Sequence, residues 1–155
     1  MLAYHPTNGQ HAGAVDRDVR NISLMLKKSA PTVLVVDDEA LIRWSLAEML
    51  GERGYAVTEA DNARAALAAI QQAESAFDVV LLDYRLPDSA DLRLLEKVRQ
   101  LAPTSRVIMI TAHNSPELAD GATALGAYRV ISKPFEVESL AALVNQARTD
   151  RPDAG

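Results

Sequence analysis

The chain has no cysteine among its 155 residues, which excludes both a disulfide framework and a thiolate metal site. Aromatic residues are scarce, at one Trp, two Phe and four Tyr, so a core must be built from Val, Leu, Ile and Ala. No apolar run reaches the length that spans a bilayer. The opening MLAYHPTNGQHAGAV has neither the basic start nor the apolar centre of a secretory signal. No membrane partner is expected, and a cytoplasmic location is. Positive charge is also in short supply: the formal net charge is −5. Phosphate binding needs a basic footprint, so direct nucleic-acid binding by this domain is not expected. Neither a P-loop nor a glycine-rich dinucleotide turn occurs. Proteins and small cations are the partners that remain.

What is present becomes regular at Pro31. Residues 1–30 read as a polar extension, with a short amphipathic helix expected over 15–28, where Val15, Val19, Ile22 and Leu26 recur at helical spacing. Residues 31–148 then alternate strand-like and helix-like patterns five times. The strand patterns are TVLVVD, YAVTEA, FDVVLLDY, RVIMIT and YRVIS, and the third is apolar throughout, as a strand buried on both faces should be. In the first helical pattern Ile42, Leu46, Met49 and Leu50 fall on one side, and Trp44 lies off that stripe. Asp or Asn opens the second, and Ser115 with Pro116 opens the fourth. Short connections between alternating elements imply parallel strands, right-handed crossovers and helices on both faces. The fold class is therefore α/β, a doubly wound five-stranded parallel sheet with five helices in three layers. Residues 149–155 are a tail.

In such a sheet, functional groups gather outside the carboxyl ends of the strands. The residues there are Asp37 and Asp38 after the first strand, with Glu39 beside them, Asp83 at the third, Thr111 at the fourth, and Lys133 followed by Pro134 at the fifth. Singly, each has a plain structural role. Together on one edge they describe a chemistry. Crowded carboxylates repel unless a positive charge joins them, and a hard dication such as Mg²⁺, or Mn²⁺ in its place, suits oxygen ligands. With that charge balanced, the Asp83 carboxylate can attack phosphorus and become an acyl phosphate. The Lys133 ammonium and the Thr111 hydroxyl then face the charge on the transferred group.

The blocks VLVVDDE, DVVLLDYRLPD, VIMITA and ISKPF, in this order and spacing, resemble the signature of the response-regulator receiver domain of two-component signalling. The resemblance covers Pro31 to Arg148 and implies a flavodoxin-like strand order of 2-1-3-4-5. It implies that Asp83 is the phosphoacceptor, loaded by a histidine kinase or a phosphotransfer protein. Asp38 would be a direct metal ligand, Asp37 a ligand through water, and Asp83 with the backbone carbonyl of Arg85 would complete the set. Thr111 would be the switch hydroxyl, Lys133 its cationic partner, and Pro134 a cis-proline. Arg85 and His113 occupy positions that tune the lifetime of the phosphoryl group. Such a domain is a signalling module, not a metabolic enzyme, although it assists its own phosphorylation and dephosphorylation.

Two features depart from the family pattern. Val130 stands where receivers often carry Tyr or Phe; Tyr128, two residues earlier, is expected to share its face but to lie farther from Thr111. Asp91 stands where many members have glycine, and it is expected to open the third helix electrostatically. Asp88 in LPDS reads as a solvated turn residue. A phosphohydrolase with an aspartate nucleophile is the rival from another class, but it needs a second aspartate where Arg85 stands. A receiver-like module that never uses its phosphate site is kept alive by Val130. Trp44 is assigned either to a kinase-docking surface or to packing. The sequence leaves open a homodimer, formed through the last helix pair or residues 15–28. It also leaves open whether the domain acts alone or within a longer transcriptional regulator.

Overall fold

The computed structural model describes residues 30–150; the helix expected over 15–28 and the chain beyond Asp150 lie outside them. The strands are β1 (Thr32–Val36), β2 (Ala56–Ala60), β3 (Val79–Asp83), β4 (Arg106–Thr111) and β5 (Arg129–Ser132). The helices are α1 (Ala40–Glu52), α2 (Ala63–Gln72), α3 (Arg93–Leu101), α4 (Pro116–Ala124) and α5 (Val137–Thr149). All pairings are parallel, in the order β2-β1-β3-β4-β5. The chain thus has the flavodoxin-like fold that its motifs imply.

Strand alternation divides the core into two layers. Leu34, Val36, Val80, Leu82, Val107 and Met109 pack with residues of α2, α3 and α4. Val33, Val35, Val79, Leu81, Ile108 and Ile110 pack with Leu46 and Leu50 of α1 and Leu140 and Val144 of α5. Every residue of β3 is buried, as its position at the centre of the sheet requires. At roughly 1.5–3 kcal/mol per fully buried aliphatic side chain, these two layers supply most of the stabilisation. Among the described residues no helix is long and apolar enough to cross a membrane.

Local chemistry marks the helix starts. The Asn62 side chain accepts from the Ala65 N–H at 2.7 Å, and Ser115 accepts from Leu118 at 3.1 Å with Pro116 in the first turn. Asp91 accepts from the Arg93 N–H at 2.9 Å, so it satisfies an end of α3 by hydrogen bonding as well as by charge. Gly126, with φ of 100°, makes the turn after α4; a Cβ there would lie 2.6 Å from Arg99 Nε.

Register levels the carboxyl ends of the strands. Val36 pairs with Ala60 and Leu82, Asp83 with Ile110, and Thr111 with Ser132. Asp37, Asp83, Thr111 and Lys133 therefore emerge along one rim.

Candidate functional site

Four of the connections that leave that rim carry parts of the site. After β1, the Asp37 N–H donates to the Ala60 carbonyl at 3.1 Å, and Asp37 Oδ1 accepts from the Glu39 N–H at 2.8 Å. Arg43 reaches back from α1 to the Asp37 carbonyl at 2.8 Å and to Glu59 at 3.2 Å, fixing this corner. Asp83 closes β3, and its Oδ1 accepts from the Arg85 N–H at 3.3 Å. Beyond β5, the Lys133 N–H donates to the carbonyl of Thr111 at the end of β4 at 2.8 Å, and the Lys133–Pro134 peptide is cis.

These connections bring one ammonium among three carboxylates. Lys133 Nζ lies 3.1 Å from Glu39 Oε1, 3.2 Å from Asp83 Oδ2 and 3.2 Å from Asp37 Oδ2. Carboxylate oxygens of Asp37, Glu39 and Asp83 lie within 4.8 Å of one another, the one such acidic group among the described residues. Asp37, Asp83 and Thr111 are buried. Burial, followed by the charge of Asp37, pushes the Asp83 carboxyl up from 3.8 to about 6, although Lys133 and the Arg85 N–H pull it down. For Lys133 burial acts downward, but Glu39, Asp37 and Asp83 outweigh it and hold the ammonium above its ordinary value.

The donor set fits a dication. Three carboxylates against one ammonium leave two negative charges uncompensated. Asp37 Oδ2, though at ion-pair distance from Lys133, receives no directed hydrogen bond. A buried, under-satisfied carboxylate oxygen in an all-oxygen cluster is what a hard cation takes.

The structure brings Asp37, Asp83 and Lys133 together and sets other expected residues apart. Asp38 is exposed and outside the acidic cluster; Glu39 fills the third place. Its neighbour Asp37 occupies the inward position at the end of β1, so the next side chain leaves the pocket. Thr111 closes β4, and its hydroxyl oxygen accepts from the His113 N–H at 3.2 Å. The Arg85 and His113 residues are exposed.

Two sequence readings are corrected. Tyr128 does not share a face with Val130, because it precedes β5 and falls outside the strand alternation. Val130 packs on the layer of α2 to α4, and Tyr128 on that of α1 and α5. The Tyr128 ring lies between Arg106 and Arg129, at 5.3 and 5.1 Å, with its hydroxyl donating to Asp150 at 3.0 Å. Asp88 is exposed but is no free turn residue: its carboxylate accepts from the Ala63 N–H at 2.7 Å and the Arg64 N–H at 3.0 Å. Trp44 is 62% exposed and belongs to neither core layer.

Comparison with known proteins points the same way. The family described as the response regulator receiver domain matches residues 33–145. The DNA-binding transcriptional regulator NtrC of Salmonella typhimurium is 38% identical over 115 residues, which are 74% of this chain and 24% of that protein. The chain thus spans about a quarter of the length of the NtrC relatives it matches. A receiver domain protein (CheY-like) from Methanospirillum hungatei superposes with a TM-score of 0.76 at 31% identity, covering 82% of this chain and all of that one. A response regulator from Burkholderia pseudomallei, whose crystal structure holds a phosphorylated aspartic acid, a calcium ion and citrate, superposes at 0.68 with 31% identity, covering 77% of this chain and 69% of that one.

Proposed function

We propose, from the premise that this chain belongs to the response regulator receiver domain family, that Asp83 is its phosphoacceptor and that a phosphohistidine on a kinase or phosphotransfer protein is the donor. One observation carries the reading. The buried carboxylate that ends β3 lies 3.2 Å from the Lys133 ammonium, in a cluster with two more carboxylates that leaves negative charge uncompensated.

An Asp83 carboxylate oxygen attacks phosphorus, the bond from phosphorus to the donor's imidazole nitrogen breaks, and that nitrogen keeps the electron pair and takes a proton. The attack needs the ionised carboxylate. With its pKa pushed up to about 6, Asp83 is mostly ionised at neutral pH yet more basic than an exposed aspartate. Lys133 stands where it meets the oxygens of the arriving group, and the Thr111 hydroxyl is held one residue beyond β4's pairing with Asp83. Asp37, Glu39, Asp83 and the Arg85 carbonyl would hold Mg²⁺ or Mn²⁺, which supplies the positive charge that lets the carboxylates stay ionised together.

Asp83 modification then biases the surface built by α4, β5 and α5. With Val130 in place of an aromatic, that response rests on backbone and helix movement, not on a ring turning inward. A longer regulator around this domain would supply DNA binding through other domains; the NtrC relative is named as a DNA-binding transcriptional regulator.

The test is incubation with acetyl phosphate, with and without Mg²⁺, followed by intact mass measurement. One phosphoryl group is expected on the wild type with Mg²⁺ and none on Asp83→Asn. An unmodified wild type would end this reading.

A further inference from the structure

The loop that follows Asp83 is fastened at three points. Tyr84 donates its N–H to the Ile110 carbonyl at 2.8 Å. Leu86, buried in the core, exchanges backbone bonds with Ser89 at 2.8 and 3.2 Å. Farther along, Asp88 places both carboxylate oxygens on the first two N–H groups of α2. The last fastening is not needed to start the helix. Asn62 already caps α2 through Ala65 from its own segment. A second cap, supplied from 25 residues away, constrains the loop that donates it.

Its placement closes a ring around the site. The start of α2 lies just beyond Ala60, whose carbonyl accepts from the Asp37 N–H. β1 in turn pairs with β3, which ends at Asp83. Asp88 thus links the acceptor loop on β3 to the segment that holds the Asp37 backbone. We propose that Asp88 is a positioning residue, tying the loop to α2 so that the main chain at Arg85 is held where the site needs its carbonyl. The two N–H groups, Ala63's first, keep the Asp88 carboxyl below the ordinary carboxylate range, so the tie persists through neutral pH.

The metal part of this inference rests on the proposed function, and the experiment separates the two. Asp88→Ala, Asp88→Asn and Asn62→Ala are compared in Mg²⁺ affinity by titration calorimetry and in amide hydrogen exchange at Leu86 and Ser89. Removing the partner that orients a ligand typically weakens metal binding at least about tenfold, and Asp88→Ala is expected to do so while speeding exchange at both amides. Asp88→Asn, with one acceptor oxygen, should fall between, and it carries the comparison if the alanine variant does not fold. Asn62→Ala loses a cap of the same helix but should leave Mg²⁺ affinity and loop exchange unchanged. Wild-type values in a folded Asp88 variant, or equal weakening in Asn62→Ala, would overturn the proposal. A wild type that binds no Mg²⁺ would overturn the metal role for both readings, while exchange at Leu86 and Ser89 would still decide the tie.

Discussion

Asp83→Asn is expected to stabilise the metal-free protein, and to do so increasingly as pH rises. The folded state holds a proton on Asp83 more tightly than the unfolded chain, with the pKa raised from 3.8 to about 6. Stability linked to this group is therefore fully present below pH 3.8 and is lost as pH climbs through 6. At about 1.4 kcal/mol per pH unit the full loss would be about 3 kcal/mol. The partly exposed Lys133 and Glu39 beside it admit water that screens part of the charge, leaving about 1–2 kcal/mol. Asparagine has nearly the same shape and no charge to bury. Urea unfolding in chelator should show the variant's advantage growing by that amount between pH 4 and pH 8. In a domain of this size, about 1–2 kcal/mol corresponds to several degrees in Tm. Mg²⁺ at about 100 times its dissociation constant should then stabilise the wild type by about 2.7 kcal/mol, closing or reversing the gap. An advantage that does not change with pH, or one that Mg²⁺ leaves untouched, would refute the electrostatic account of the pocket.

Lys133→Met removes the ammonium that, among the described residues, faces three carboxylates; at pH 8 without metal it should cost about 3 kcal/mol in urea unfolding, less below pH 6 where Asp83 takes a proton. Thr111→Ala removes one neutral hydrogen-bonding hydroxyl, so the adduct formed with acetyl phosphate should fall about fivefold at equilibrium, corresponding to about 1 kcal/mol. Intact mass reads that ratio, and undiminished adduct would remove the hydroxyl from the chemistry. His113→Ala is expected to change the dephosphorylation half-life several-fold, because the exposed ring lies two residues from Thr111 at the rim. Unchanged decay of the adduct would leave His113 without a role.

The fold was legible because its signals are local. Apolar runs, caps at Asn62 and Ser115, and Pro116 in a first turn each act within a few residues, and the parallel order follows from alternation. RVIMIT matches β4 residue for residue. The acidic rim was equally visible, since strand ends announce themselves. Glu39's place on Lys133 was not, because that contact spans 94 residues and the side chain looks like an ordinary first-turn acid. Asp88 escaped for the same reason: a carboxylate in a Pro-containing turn carries no local sign that a helix 25 residues earlier uses it. Tyr128 was misplaced by a boundary. β5 begins one residue later, at Arg129, and the alternation does not extend back to the ring.

An ammonium has three protons to donate, and Lys133 already faces three anionic neighbours. Two of its protons go to Glu39 and Asp83, while Asp37 stands at ion-pair distance without a directed bond, so a newcomer oxygen enters among anions that already compete for the lysine. The neighbours are not equally easy to release: the Asp37 and Asp83 side chains are 2% and 6% exposed, and that of Glu39 is 58% exposed. Water can take over solvation of Glu39 at once, so this side chain is the one that yields. On the proposed function, residue 39 is the neighbour that gives way when the lysine turns to the incoming group.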